Sequence, residues 1–400
     1  MAPPGMYIVY GIGIFLAFLS KEFFPHPATW LPVALPPQDR YTSSSLAVNN
    51  DNCKLIYGAE GCEDVAVDKL TGEVYMGCGS VEGRMSFFPP QNHHKVRPKF
   101  KQMPMQDSVV LFDPQTEQLK TLELRGYHDR EDFILHGMNV FYPPDKPDTR
   151  IIFFVNHQRG SSIISVFKYT TGTDYLEFLH DIRSPYIVTP NAVVAVSETS
   201  FYITNDHKYR KGTWRAIEDT MGPFLWANIV FCEFSYSTNH PKCSIKNKNY
   251  FSYANGILLV DGGKKLVVTD TRLAKLSVFS VDPLTHNLDL ELAVSVHASM
   301  DNISELPSGD ILVAAFPNGA SIWPKIEAPF NEDVVSESMA LLFKKNESFA
   351  IPHVVFWDDG HQMSVMTSAS YDVKSGKLIG GGVCAPGVFV CNLDKSVFGL

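Results

Sequence analysis

No GxSxG elbow occurs in the chain, so the exposed nucleophilic serine of an α/β-hydrolase is excluded. Close CxxC pairs are also missing, which removes zinc ribbons and thioredoxin-type sites, and seven cysteines in 400 residues are too few for a disulfide scaffold. Basic residues are in deficit: a net charge of −9 provides no positive field for a phosphate backbone, and no nucleic-acid partner is expected. Long apolar runs are scarce. The one candidate, Met6 to Leu19, has the length of a signal h-region and falls short of a comfortable membrane span. No long segment repeats with the 3.6-residue helical period. What remains, with 45% apolar and 19% charged residues, is a folded globular chain able to bury a large core.

The apolar N-terminus directs the chain to the secretory pathway. Phe18 and Leu19 follow Ala17 and spoil a small-x-small cleavage site, so residues 1–24 read as a signal peptide or an uncleaved anchor. The protein is accordingly expected to be secreted, or membrane-anchored with lipid association through this segment. Residues 25–50, rich in proline and then serine, read as a linker, and residues 51–400 as one folded unit. Secretion permits disulfides. Cys53 and Cys391 stand near the two ends of this unit and suit a clasp between first and last strands. Cys232 and Cys243 flank a polar loop that could close a hairpin, and Cys62, Cys78 and Cys384 are left unassigned. Asn346-Glu-Ser348 is a plausible glycosylation acceptor, whereas Asn302-Ile-Ser304 is not expected to be one.

Short β-rich runs such as IIFFVNH (151–157), KKLVVTD (264–270) and DILVAAF (310–316) recur between turn signals. Stretches such as DKLTGEVYMG (68–77), DPLTHNLDLEL (282–292) and DVKSGKLIGG (372–381) each set a polar turn before an apolar strand, as hairpins inside repeated units do. With about four strands per unit, roughly 350 residues accommodate about six units. The expected fold is an all-β, six-bladed β-propeller preceded by the signal or anchor segment, closed by pairing the first strand with the last. A large β-sandwich or two β domains is the plainer alternative.

Several acids and amides stand at strand starts, where inner propeller strands bring their ends to a common axis. They are Glu63 and Asp64 before VAV, Asn191 before AVVAVS, Asn255 in YANGILLV, and Asp301 and Asn302 before IS. Taken singly, each reads as a turn cap or a satisfied core amide. Jointly, Glu63, Asn191, Asn255, Asp301 and Asn302 would make a five-ligand oxygen shell suited to Ca²⁺, with two carboxylates matching its charge.

The strings GCEDVAV (61–67), LHGMNVF (135–141), FVNH (154–157), PNAVVAV (190–196), TNDH (204–207), YANGI (253–257), MDNIS (300–304) and FPNG (316–319) run in an order that resembles the paraoxonase/arylesterase family. The similarity spans nearly all of 51–391 and is patchy between motifs, as in a distant member. The resemblance implies a calcium-dependent hydrolase of lactones or aryl esters with Glu63, Asn191, Asn255, Asp301 and Asn302 on the catalytic ion and a Cys53–Cys391 disulfide. It also implies a histidine pair, His136 and His157, that activates water, with Asp206 as an acidic partner and His207 beside it.

A second, structural calcium would use Asp64, the backbone carbonyl of Met138 and an acid directly after Asn191. Here that acid is Ala192, so a weakened or absent second site is expected. Phe316 stands where a histidine is frequent in the family, which should make the cleft more apolar, and residues 80–106 would form a lid-like loop. The rivals are a gluconolactonase- or strictosidine-synthase-like propeller enzyme, and a non-catalytic, calcium-stabilised propeller that binds a partner through its loops.

Overall fold

A computed structural model describes residues 47–94, 106–129, 132–247 and 250–400. Segment 1–24, all but the last residues of 25–50, and residues 95–105 of the 80–106 loop lie outside the described residues. Among the described residues no helix is long and apolar enough to cross a membrane.

The short Val-, Ile- and Phe-rich runs become strands. Inner ones such as Lys265–Asp270 and Ile311–Phe316 are buried almost throughout, because their sheets are packed on both faces by other sheets. Outer strands such as Leu288–Ser295, with Asp289 and Glu291, stay largely exposed. Three sheets each use four consecutive antiparallel strands: Pro190–Ser197 to Thr238–Ile245, Ala254–Val260 to Leu288–Ser295, and Ser299–Glu305 to Pro352–Asp358.

An eight-stranded sheet joins two further antiparallel runs, which begin at Val65–Val67 and Leu135–Phe141. Their outermost strands, Gln118–Arg125 and Tyr175–Ile182, meet in a short parallel pairing of Glu123 to Arg125 with Tyr175 to Glu177. The last sheet contains Ser368–Asp372, Lys377–Gly381 and Val388–Asn392, and Cys53–Ile56 from the other end of the chain completes it.

First strands of successive sheets lie side by side around an axis. Pro190–Ser197 sits between Leu135–Phe141 and Ala254–Val260, and the series returns through Ser299–Glu305 and Ser368–Asp372 to Val65–Val67. The result is an all-β, propeller-like fold with a nearly closed inner barrel. Apolar cores fill the spaces between sheets: Val267, Leu276 and Val278 pack on Ile311, Val313 and Leu341, and Tyr202 and Phe231 pack on Leu266 and Phe279.

Cys53 pairs in register with Cys391, and a disulfide joins them across 338 residues. Cys232 and Cys243 are bonded across their hairpin, while Cys62 and Cys78, which the sequence left open, also form a disulfide; Cys384 is free and buried. Cross-linking the chain ends removes a long loop's freedom from the unfolded state. Replacing both Cys53 and Cys391 with serine is expected to cost about 2–5 kcal/mol of unfolding free energy. Denaturant titration measures this, and an unchanged midpoint would mean that strand pairing alone closes the ring.

Candidate functional site

A cleft of about 980 Å³ lies over the starts of the inner strands, lined by Glu63, His136, Asn191, Asn255 and Asp301 among others. Three short helices border it in different ways. Helix α1, Val81–Ser86, is capped by Ser80, whose Oγ accepts from Gly83 N at 3.0 Å, and it leads into Phe88 on the cleft wall. Helices α2, Thr213–Met221, and α3, Gly319–Glu327, contribute Ala216, Asp219, Ile322 and Trp323 to the walls.

Local backbone irregularity aims the inner-strand side chains at the axis. Pairing with the second strand jumps from Leu135 to Met138, from Pro190 to Val193, from Ala254 to Ile257 and from Met300 to Ile303. The residues skipped are His136 and Gly137, Asn191 and Ala192, Asn255 and Gly256, and Asp301 and Asn302. Bulges of this kind release residues from the alternation of the pleat and re-aim them. Neighbouring threonines take up backbone carbonyls freed by the bulges or facing the axis: Thr204 Oγ1 donates to Asn255 O at 2.6 Å, Thr269 Oγ1 to Asp301 O at 2.8 Å, and Thr367 Oγ1 to Glu63 O at 2.6 Å. Inner strands approach closely there; a Cβ on Gly256 would stand 2.6 Å from Asp301 O.

The amides are oriented by their nitrogens. Asn302 Nδ2 donates to Glu63 Oε1 at 3.0 Å, Asn255 Nδ2 to Thr271 Oγ1 at 2.9 Å, and Asn191 Nδ2 to Asp206 Oδ2 at 3.4 Å. Glu63 Oε2, Asn191 Oδ1, Asn255 Oδ1 and Asp301 Oδ1 are buried with no hydrogen-bond partner. Four acceptors without donors in one pocket are costly unless a cation takes them. Burial, reinforced by Glu63, pushes the Asp301 carboxyl well above the usual carboxylate range. The donor set is hard oxygen throughout, which fits Ca²⁺. No group of three or more His, Cys, Asp or Glu side chains with metal-holding geometry occurs among the described residues, and this set has only two carboxylates.

His136 and His157 are both buried and linked, Nδ1 of the first to Nε2 of the second at 3.1 Å. His157 Nδ1 meets Ser162 Oγ at 2.9 Å, and His136 Nε2 stands 3.5 Å from Glu63 Oε1. Phe88 covers the pair edge-on, 5.1 Å from the His136 ring and 5.8 Å from that of His157. Burial and the neighbouring His136 hold the His157 imidazole well below its ordinary range, so it is neutral. A neutral His157 that donates from Nδ1 to Ser162 accepts at Nε2 from His136, which leaves the His136 Nε2 lone pair free toward the cleft.

Asp206 is bonded to Asn191 and His207. Its carboxylate binds His207 Nδ1 at 2.8 Å, and His207 Nε2 in turn lies 3.0 Å from Asp219 Oδ1, which Arg215 also holds at 2.8 Å. Burial alone would push the Asp206 carboxyl up, but His207 holds it below the usual carboxylate range. The side chain bonded to His157 Nδ1 is the Ser162 hydroxyl, and Asp206 as acidic partner of the histidine pair remains an expectation. The hydroxyl escaped sequence reading because it sits on the adjacent strand in an unremarkable SSIIS run.

Around the second expected ion, Asp64 Oδ1 and Oδ2 accept the N–H groups of Val65 and Met138, each at 2.9 Å, and Ala192 brings no oxygen side chain. Phe316 packs with Phe88, Ile134 and Val383 and makes one cleft wall apolar. Asn302 is buried within the site, whereas Asn346 is exposed in the short 3-10 helix Lys345–Glu347.

Residues 102–393 match the protein family described as Arylesterase. Serum paraoxonase/arylesterase 2 of Rattus norvegicus is 28% identical over 318 residues, which cover 78% of this chain and 80% of the relative. That of Gallus gallus is 30% identical over 68% and 71% of the two chains, and serum paraoxonase/lactonase 3 of Homo sapiens is 25% identical over 68% and 71%. Among solved structures, a gluconolactonase from Xanthomonas campestris superposes with a TM-score of 0.50 at 10% identity, over 87% of this chain and 97% of that one. A likeness of that degree concerns the propeller fold alone.

Proposed function

This chain belongs to the paraoxonase/arylesterase family as a distant member, and we propose that it is a calcium-dependent hydrolase of lactones or aryl esters. The single observation that carries the reading is the group of buried, unpartnered oxygens of Glu63, Asn191, Asn255 and Asp301, set in one cleft beside His136, which is bonded to His157 behind it. Asn302 completes the ligand set. Support for six blades comes from the eight-stranded sheet, which divides into two four-stranded runs beside the four other four-stranded sheets. A single domain over 51–400, behind the segments 1–24 and 25–50, follows the same reading, as does secretion.

A bound Ca²⁺ supplies a Lewis acid that stabilises the developing oxyanion of the scissile carbonyl. The chain's own residues do the rest. His136 Nε2 accepts the proton of the attacking water, while its Nδ1–H stays bonded to His157 Nε2, whose tautomer Ser162 holds. Glu63 Oε1 stands 3.5 Å from His136 Nε2, so the proposed base adjoins the proposed ligand shell. The apolar wall of Phe88, Phe316 and Val383 excludes water and favours hydrophobic acyl or aryl groups. With Asp64 engaged by two main-chain N–H groups and Ala192 in place of an acid, one ion rather than two is the proposed complement.

Phenyl acetate and a long-chain δ-lactone are expected to be hydrolysed in calcium buffer, to lose all measurable turnover in excess chelator, and to regain it on adding Ca²⁺. Turnover that ignores the chelator would point to a propeller enzyme with other ligands. No turnover on any ester or lactone would leave a binding module.

A further inference from the structure

His136 is gripped from behind as well as from the cleft. Leu135, the residue before it, donates its N–H to Asp107 Oδ2 at 2.7 Å, and its carbonyl accepts from Arg84 Nη1 at 2.9 Å. Arg84 Nη2 and Asp107 Oδ2 are themselves paired at 3.2 Å, and both side chains are buried. The grip sits where the strand needs it, because the pairing with Thr149–His157 is interrupted right after Leu135 and skips His136. Arg84 acts a second time through Phe88. Its guanidinium lies 4.7 Å from the centre of that ring, the one that stands edge-on to both histidines.

We infer that Arg84 and Asp107 are positioning residues for His136, one from helix α1 and one directly before strand Ser108–Asp113, holding its backbone and its aromatic cover in one arrangement. The inference rests on the hydrolytic role proposed for His136. Two charges buried as a simple staple gain little over an apolar pair of the same size, since desolvation offsets their attraction. A planar fork that meets a carbonyl, a carboxylate and a ring at once gives geometry that an apolar pair cannot. Burial pushes the Asp107 carboxyl up to about 6 despite Arg84 and the Leu135 N–H, so the charge is held there at a cost. Gly79 leaves the space, since a Cβ at that position would collide with the Asp107 carboxylate.

The test uses Arg84→Met, Asp107→Asn and the conservative Arg84→Lys in the full chain. For the first two, kcat on phenyl acetate is expected to fall about 10- to 100-fold, with KM and the calcium titration unchanged, and Arg84→Lys should recover part of it. In chain labelled with ¹⁵N-histidine, the ring resonances of His136 and His157, assigned with His136→Gln and His157→Gln, should shift or broaden in Arg84→Met while those of His207 stay. If the wild type hydrolyses nothing, the functional reading fails, and the ring signals still decide the positioning. Lower melting temperature with unchanged kcat and unmoved rings would make the pair a mere staple and overturn the inference. So would Arg84→Lys matching the wild type in both, a result open even if Arg84→Met does not fold.

Discussion

Asp301→Ala is expected to lower kcat/KM for aryl esters and lactones alike by at least about 10³-fold, together with a large loss of calcium affinity in direct titration. Asp301 supplies one of only two carboxylates among the proposed ligands, and its Oδ1 is buried with no other partner. Removing it leaves Glu63 as the sole negative ligand, among neutral amides that cannot balance a divalent charge. Burial and Glu63 raise the Asp301 carboxyl well above the ordinary range, so its negative form needs a positive charge beside it, which the proposed calcium would supply. Asn255→Ala removes a neutral donor and should do less to affinity. Full turnover in Asp301→Ala would end the calcium reading of the site.

The second large effect is at His136. His136→Gln keeps a side chain of similar reach and removes the base, so kcat should fall about 10²- to 10⁴-fold while calcium affinity stays near that of the wild type. A parallel loss of calcium binding would reassign His136 to the metal shell, and unchanged kcat would remove it from the mechanism. The pH profile adds a check on its partner. Because burial and His136 lower the His157 pKa well below that of a free imidazole, its neutral form persists as pH falls through the ordinary histidine range. Its protonation is therefore expected to cost activity only well below that range. An acid limb near pH 6.5 that disappears in His157→Gln would contradict a neutral His157.

Strand character was legible because Val-, Ile- and Phe-rich runs between turn signals fit only buried, short strands. The end-to-end closure was legible in the positions of Cys53 and Cys391, and the hairpin disulfide in Cys232 and Cys243. Cys62 and Cys78 gave no such sign. Cys62 lies three residues before Val65–Val67 and Cys78 ends Val74–Cys78, so they meet at the open end of this hairpin, far from the turn that gives it away in sequence. At the site, the acids and amides stood out because polar residues at the head of apolar strands are unusual. Their supports did not. Thr204, Thr269, Thr367 and Ser162 are small hydroxyl residues inside β runs, where threonine and serine need no special explanation.

By itself, then, the amino-acid order determined which chemical groups are available and how far apart the strands carrying them stand. That decided the fold class and the hard-oxygen character of the candidate site. Only the tertiary structure decided where those groups point. The bulges at His136, Asn191, Asn255 and Asp301 exist because each inner strand is paired with its neighbour while adjacent sheets crowd the axis and bond its carbonyls. It likewise set Ser162 beside His157, and Arg84 and Asp107 behind His136. The contacts of Arg84 and Asp107 join residues distant in the chain, and their energy depends on packing that no local pattern encodes.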